Sequence, residues 1–392
     1  MKAEYRKLGE YIQPVDVRNT DLKVNHLLGV SVEKRFIESI ANTIGTDFSK
    51  YKIVRKGQFT YIPDTSRRGD KIGIALLSDY EEGLVSNIYT VFEITDTSKL
   101  LPEYLMLWFS RPEFDRYARF KSHGSVREIF DWDEMCRVEL PVPDIKEQQK
   151  IVNTYNAITK RIEIKQKINE NLEKTAQCLF DEYFSEYNNF YDNTELKQLP
   201  TGWKYSIVGD YCKDNIKSLS SNTGFSEIQY LDTGSITDNS ISELQMISTN
   251  DEIPSRAKRI VYDGDIVFST VRPNLRHFGI IRKPPENMIV STGFSVLHNS
   301  SDKVTNEFLY MWIKNAATLS YLQSIAENSV STYPSINSDD LMSIRIIVPS
   351  EEILCELNSF FRKTFVTIDW NNREIARLQE LKQLVISRIS GM

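Results

Sequence analysis

Residues 145–184 read IKEQQKIVNTYNAITKRIEIKQKINENLEKTAQCLFDEYF, a run with no proline and no glycine. Ile151, Tyr155, Ile158, Ile162, Leu172, Ala176, Leu179 and Tyr183 recur at alternating spacings of four and three, and Lys165 and Asn169 fill the gap in the stripe. Such an alternation, kept up over several heptads, predicts a coiled-coil seam rather than the broad apolar face of a surface helix. Near the C-terminus a second stripe follows the same spacing: Leu357, Phe361, Thr364, Ile368, Ile375, Leu378, Val385 and Ile389, with Asn371 at the position of Lys165. At about 1.5 Å per residue each helix is about 55–60 Å long. Two such helices separated by a folded domain are expected to pair antiparallel. The alternative is two independent helices, each packed on its own domain, but the polar position shared by both seams favours pairing. An isolated polar residue on a seam fixes register, so Lys165 and Asn371 are the candidate register residues.

Working outward, the whole chain is written twice. Leu8-Gly9-Glu10-Tyr11 is echoed by Val208-Gly209-Asp210-Tyr211, SNIYTVF (86–92) by STGFSVL (291–297), PEYLMLWF (102–109) by NEFLYMWI (306–313), and LPVP (140–143) by IIVP (346–349). The order is the same in both copies, and the period is far longer than the roughly 20–50 residues of a solenoid, so this is a duplicated domain. Each copy opens with short β-type runs such as KIGIALL (71–77) and GDIVF (264–268), cut by turn residues. A helical stretch follows (102–120, 305–326), and then a Pro-bounded strand (138–143, 344–349). The expected fold is α/β or α+β. The polar stretch 185–202 reads as a linker into the second copy.

The chain has 392 residues, 41% hydrophobic and 26% charged, which excludes collagenous, disulfide-scaffold and disordered classes and suggests two or three domains. No apolar run approaches the roughly 20 residues needed to span a bilayer. Glu4 and Glu10 fall where an export signal needs an apolar stretch, so a cytoplasmic location is expected. Cys136, Cys178, Cys212 and Cys355 form no CxxC pair, and His26, His123, His277 and His298 form no HxxxH. There is no GK dipeptide, no pair of glycines two apart and no GxSxG, which removes the common phosphate, dinucleotide and nucleophile turns. Pro143-Asp144 with Glu163-Ile164-Lys165 matches a nuclease spacing only formally: Glu163 and Lys165 lie in the heptad helix, more than five turns from Asp144.

The net charge of −6 divides evenly between the halves, yet each half holds one basic window. Residues 50–71 carry seven cations, including Arg55, Lys56, Arg67, Arg68 and Lys71, against two carboxylates. Residues 256–283 also carry seven, including Arg256, Lys258, Arg259, Arg272 and Arg276, against two. Both windows bracket the same repeated strand. A lone basic window is usually a solvated surface, but its recurrence at one repeat position favours a phosphate-binding face. Tyr61, Asn274 and His277 are interleaved with the cations and suited to base edges. The polar loops GSVR (124–127) and NSVS (328–331) are second candidates, adding Lys121, Ser125, Arg127, Ser329, Ser331 and Tyr333 to the expected DNA-binding set.

At this point LPVPDIKEQQKIV (140–152), PTGWKYSIVGDY (200–211), GDIVFSTVRPN (264–274) and the domain–helix–domain–helix order together resemble the specificity (S) subunit of type I restriction–modification enzymes, over the whole chain. The resemblance implies target recognition domains at 1–144 and 203–349, spacer helices at 145–187 and 350–392 forming an antiparallel coiled coil, a linker at 188–202, and an internal pseudo-two-fold repeat. It further implies a bipartite double-stranded DNA target, two methyltransferase subunits and two restriction subunits as partners, and no catalysis or cofactor in this chain. S-adenosylmethionine, ATP and Mg²⁺ then belong to the partner subunits. Two departures stand out: the second helix begins EEILCEL rather than EQQKIV, and the first copy lacks a PTGW opening. Two other classes stay open, a stand-alone DNA-binding regulator and a coiled-coil structural adaptor.

Overall fold

The computed structural model describes residues 4–39, 45–65, 71–124, 127–187, 191, 197–220, 224–250, 252–329 and 333–389. The chain forms two compact units, Met1–Ile164 with Glu374–Met392 and Lys165–Arg373, so the division falls within both long helices.

In the first unit a four-stranded antiparallel sheet runs in the order Ile12–Val15, Thr90–Ile94, Phe59–Tyr61, Ile74–Leu76. Its registers pair Ile12 with Ile94, and Phe59 with both Phe92 and Leu76. A two-stranded piece joins Tyr5–Lys7 to Glu139–Pro141. The helical stretch expected over 102–120 is two helices, α1 (Pro102–Phe109) and α2 (Pro112–Lys121). Pro112 forces the break, because it holds Arg111 in extended backbone and pre-sets the first turn of α2. The short α3 (Trp132–Arg137) is capped by Asp131, whose carboxylate accepts from Glu134 N at 2.8 Å. Phe59, Phe92, Phe109, Phe114 and Phe130 fill the core, with Phe59 and Phe92 stacked at 4.9 Å.

The second unit repeats this sheet order with Cys212–Asp214, Phe294–Asn299, Ile266–Ser269 and Phe278–Ile280, and pairs Lys204–Ile207 with Arg345–Val348. Its second sheet has four strands, Gln245–Ser248, Glu227–Leu231, Met288–Ser291 and Ala257–Ile260, with the middle two parallel; the first unit has the counterpart as two pairs, Leu28–Val30 with Phe36–Glu38 and Lys52–Arg55 with Glu82–Val85, joined by a parallel bridge from Leu27 to Leu84. The long helix after the first copy is α4 (Ile145–Phe184). The helices of the second copy are α5 (Asn306–Lys314), α6 (Ala316–Glu327), α7 (Ser338–Met342) and α8 (Glu351–Ile389). Here the expected stretch 305–326 is again two helices, broken at Asn315, whose side chain accepts from Ala317 N.

The long helices pair antiparallel within each unit. In the first, Ile158 and Ile162 of α4 meet Ile375 and Leu378 of α8, Arg161 pairs with Glu374, and Lys382 sits 4.8 Å over the Tyr155 ring. In the second, Lys165 Nζ donates to Asn371 Oδ1 at 2.9 Å, Asn371 Nδ2 to Asn169 Oδ1 at 2.7 Å, and Asn169 Nδ2 to Asn372 Oδ1 at 2.8 Å. Phe180 and Phe184 of α4, off the seam, pack on Trp312 at 4.9 Å each. Residues expected as plain linker also dock on this unit: Tyr191 stacks on Tyr321 at 4.2 Å, and Leu199 packs on the core. Aromatic side chains in a polar stretch still seek apolar surface.

Candidate nucleic-acid interface

Each unit ends its repeated strand in the same pair of loops. Where the strand Phe59–Tyr61 runs out, Phe130 N donates to Pro63 O at 2.9 Å and Thr65 N to Glu128 O at 3.0 Å. After Ile266–Ser269, Ile336 N donates to Thr270 O at 2.9 Å and Arg272 N to Pro334 O at 2.9 Å. The bridges Asp64–Ile129 and Val271–Ser335 complete the match. One backbone scaffold is therefore built twice and dressed with different side chains. The turn leading into each strand is duplicated too. Gly57 and Gly264 sit at φ 85° and 91°, where an L side chain is strained. Gln58 then accepts from Arg55 N and donates to Glu93, while Asp265 accepts from Tyr262 N and bonds His298.

In the second unit this loop pair gathers four of the expected residues. Arg272 is exposed, and its guanidinium lies 5.4 Å from the ring centroid of Tyr333, which is 58% exposed. Gln323 of α6 accepts from Asn274 N at 3.2 Å, and Ser329 Oγ accepts from Ser335 N at 3.4 Å. In the first unit Lys121 and Arg127 flank the corresponding loop. Its close approach at Gly124, whose Cβ would fall 2.0 Å from Arg127 O, tolerates only glycine. Arg67, Arg68, Ser125 and Ser331 lie outside the described residues.

The other expected residues lie elsewhere. Arg276 donates to both carboxylate oxygens of Asp238 at 2.7 Å, and His277 Nδ1 lies 2.7 Å from Ile236 O, so both tie the loop 236–239 to the sheet. That bond to Asp238 raises the Arg276 pKa further above its ordinary value. Lys56 pairs with Glu81 at 2.7 Å, Arg55 with Glu82 at 3.9 Å and Lys71 with Glu33 at 3.0 Å. Arg256, Lys258 and Arg259 line the strand region 256–260 of the second sheet. Nearby in the same unit, burial lowers the Lys314 pKa and raises that of Glu173 on α4.

Phe120 was missed by sequence reasoning: at the end of α2 it is 80% exposed, with Lys121 Nζ 5.9 Å from its ring. Nothing in a helical pattern marks the apolar residue that stays in water. Among the described residues no group of three or more His, Cys, Asp or Glu is placed to hold a metal ion, and no helix is long and apolar enough to cross a membrane. Asp144 of the nuclease-like spacing caps α4, accepting from Glu147 N at 3.0 Å.

The sequence profile of the type I restriction modification DNA specificity domain matches the chain twice, over residues 4–174 and 200–380. The specificity subunit of the type I restriction enzyme HindI of Haemophilus influenzae is 25% identical over 181 residues, 46% of this chain; the match spans 39% of that protein's length. The MjaIX specificity subunit of Methanocaldococcus jannaschii is 26% identical over 306 residues, 74% of this chain and 68% of that one. Among solved structures, the type I restriction–modification S subunit from M. genitalium shares the fold with a TM-score of 0.62 at 13% identity, covering 99% of this chain and 96% of that one.

Proposed function

Because the chain belongs to the type I restriction–modification DNA specificity family, we propose that it is a non-catalytic subunit that reads a bipartite double-stranded DNA target, one half-site with each copy of the repeat. The observation that carries this reading is the twice-built loop pair, in which equal backbone hydrogen bonds present unequal side chains, Asp64 and Thr65 in one unit and Val271 and Arg272 in the other. Equal scaffolds with unequal side chains suit two different half-sites, whereas a symmetric regulator needs two equal ones. In this reading residues 1–144 and 203–349 are the recognition domains, 145–187 and 350–392 the spacer helices, and 188–202 the connection between them. Phosphate contacts come from Arg55, Lys56, Arg67, Arg68, Lys71, Lys121, Arg127, Arg256, Lys258 and Arg259, and base contacts from the loop pairs.

A pseudo-two-fold chain has two like surfaces for one kind of partner, so two methyltransferase subunits bind it, followed by two restriction subunits. S-adenosylmethionine, ATP and Mg²⁺ act on those partners, in the cytoplasm. Co-expression with the methyltransferase partner and genome-wide mapping of methylated adenines tests the reading. The expected result is one asymmetric motif in two parts separated by a fixed unread gap. A palindromic or continuous motif, or none, would overturn it.

A further inference from the structure

Arg272 has a setting unlike that of the neighbouring cations. Arg276 is held by Asp238, and Arg282 is paired with the buried Glu307. Arg272 instead is exposed, with its guanidinium 5.4 Å from the centroid of the exposed Tyr333 ring, on a backbone at φ 51°, a left-handed conformation that Arg276 shares at φ 59° and that the β-carbon disfavours. That backbone is pinned from both sides. Its N–H donates to Pro334 O at 2.9 Å, its carbonyl accepts from Leu275 N at 2.9 Å, and the buried Pro273 follows it. Strained backbone that its surroundings hold in place is a mark of functional positions. A guanidinium held against an aromatic ring keeps its planar fork of N–H donors while losing some freedom to move, which prepares it for a planar, two-acceptor partner. In the major groove guanine offers such a pair, N7 and O6 side by side. A phosphate can take the same fork, but a phosphate contact acts on all sequences alike, whereas a guanine contact acts at one base.

We propose that Arg272, held against the ring of Tyr333, reads one guanine in the half-site bound by the second unit, with Tyr333 as its positioning residue. This rests on the reading of the chain as a DNA-specificity subunit, and the test separates the two. The wild-type complex with its methyltransferase partner is first mapped for methylated motif, and the motif is then mapped for R272K, Y333F and Y333A. R272K keeps the charge and loses the fork; Y333F keeps the ring and Y333A removes it. In R272K a single guanine in one half-site relaxes to any base while the other half-site is unchanged; Y333F keeps the wild-type motif and Y333A relaxes the same guanine. Binding of duplexes carrying 7-deazaguanine at each guanine of the motif gives a readout that needs no variant. At one position the loss of N7 weakens wild-type binding by about ten- to hundredfold, and it weakens R272K no further. If the wild type yields no two-part motif, the functional reading fails. If it yields one but the affected half-site lacks guanine, or R272K keeps every base, or 7-deazaguanine is tolerated throughout, the assignment of Arg272 fails alone.

Discussion

Gln148 and Asn358 perform one task from different turns of their helices. Gln148, fully buried in the first turn of α4, accepts from Leu101 N at 2.9 Å and donates to Lys99 O and Pro143 O at 2.8 Å each. In the second unit that place on α8 is held by the buried Leu354, and Asn358, one turn later, accepts from Thr305 N and Oγ1 and donates to Lys303 O at 2.7 Å. Thus the start of α1 and of α5 is clamped to the long helix that follows in sequence, and EEILCEL can replace EQQKIV without losing the clamp. Replacing Gln148 by Leu strips three part-buried backbone groups of their partner; such a bond left unmade costs about 1–3 kcal/mol at a fully buried group and less where water reaches it. The expected loss is about 2–3 kcal/mol, allowing for partial relaxation. It is read as a lower urea midpoint together with faster hydrogen exchange at the Leu101 amide and unchanged exchange at Thr305; unchanged protection at Leu101 would show that the glutamine is not the clamp. The equivalence could not be read from the sequence, because the shift of one turn hides it from any comparison at fixed offset. Arg276 shows the same limit. Its charge was legible, but Asp238, which neutralises it, lies 38 residues away.

The long helices were the most legible elements, because the seam repeats the same chemistry every seven residues and needs no knowledge of the partner. Seam positions Leu357, Phe361, Thr364, Ile368, Asn371, Ile375 and Leu378 are all buried. What the seam concealed is a second stripe, Phe180 and Phe184 on α4 and Phe365 on α8, which packs against the globular part of the second unit. A heptad count registers one face only, so contacts made by the adjoining face escape it. The second sheet escaped as well: Ala257–Ile260 and Met288–Ser291 pair as Lys52–Arg55 and Glu82–Val85 do, but strands this short with different side chains leave no match in the sequence. The polar centre of the seam is a linked set: Asn371 serves both Lys165 and Asn169. Asn371→Leu alone therefore leaves the Asn169 carbonyl oxygen buried without its donor and is expected to destabilise the pairing by about 1–3 kcal/mol. Adding Asn169→Leu removes the stranded group and puts two leucines on the seam, so the double variant is expected to recover most of the loss, while Lys165 carries its ammonium outward. Thermal denaturation of the four chains completes the cycle. A double variant whose losses simply add would mean that the two asparagines are not coupled.

At the scale of the molecule, the proposed two-part reading makes helix length a property of the DNA target. If the helices hold the recognition domains apart, the number of unread base pairs follows from their length and not from base contacts, with half-sites centred about one duplex turn, roughly 34 Å, apart. Inserting four residues after Asn169 in α4, and four after Asn371 in α8, lengthens each helix by about 6 Å, close to two base-pair steps of 3.4 Å. Four residues are nearly one helical turn, so the seams on either side of the insertion stay on nearly the same face. Placing the insertions at facing polar positions keeps Ile162 opposite Ile375 and Leu378, and keeps Phe180 and Phe184 on their own unit. The half-site sequences depend on loop pairs that the insertion does not touch. Methylation mapping of the lengthened chain should therefore return both half-sites unaltered, with the gap between them wider by one or two base pairs. An active variant with an unchanged gap would mean that DNA bending or partner contacts, rather than the helices, set the spacing.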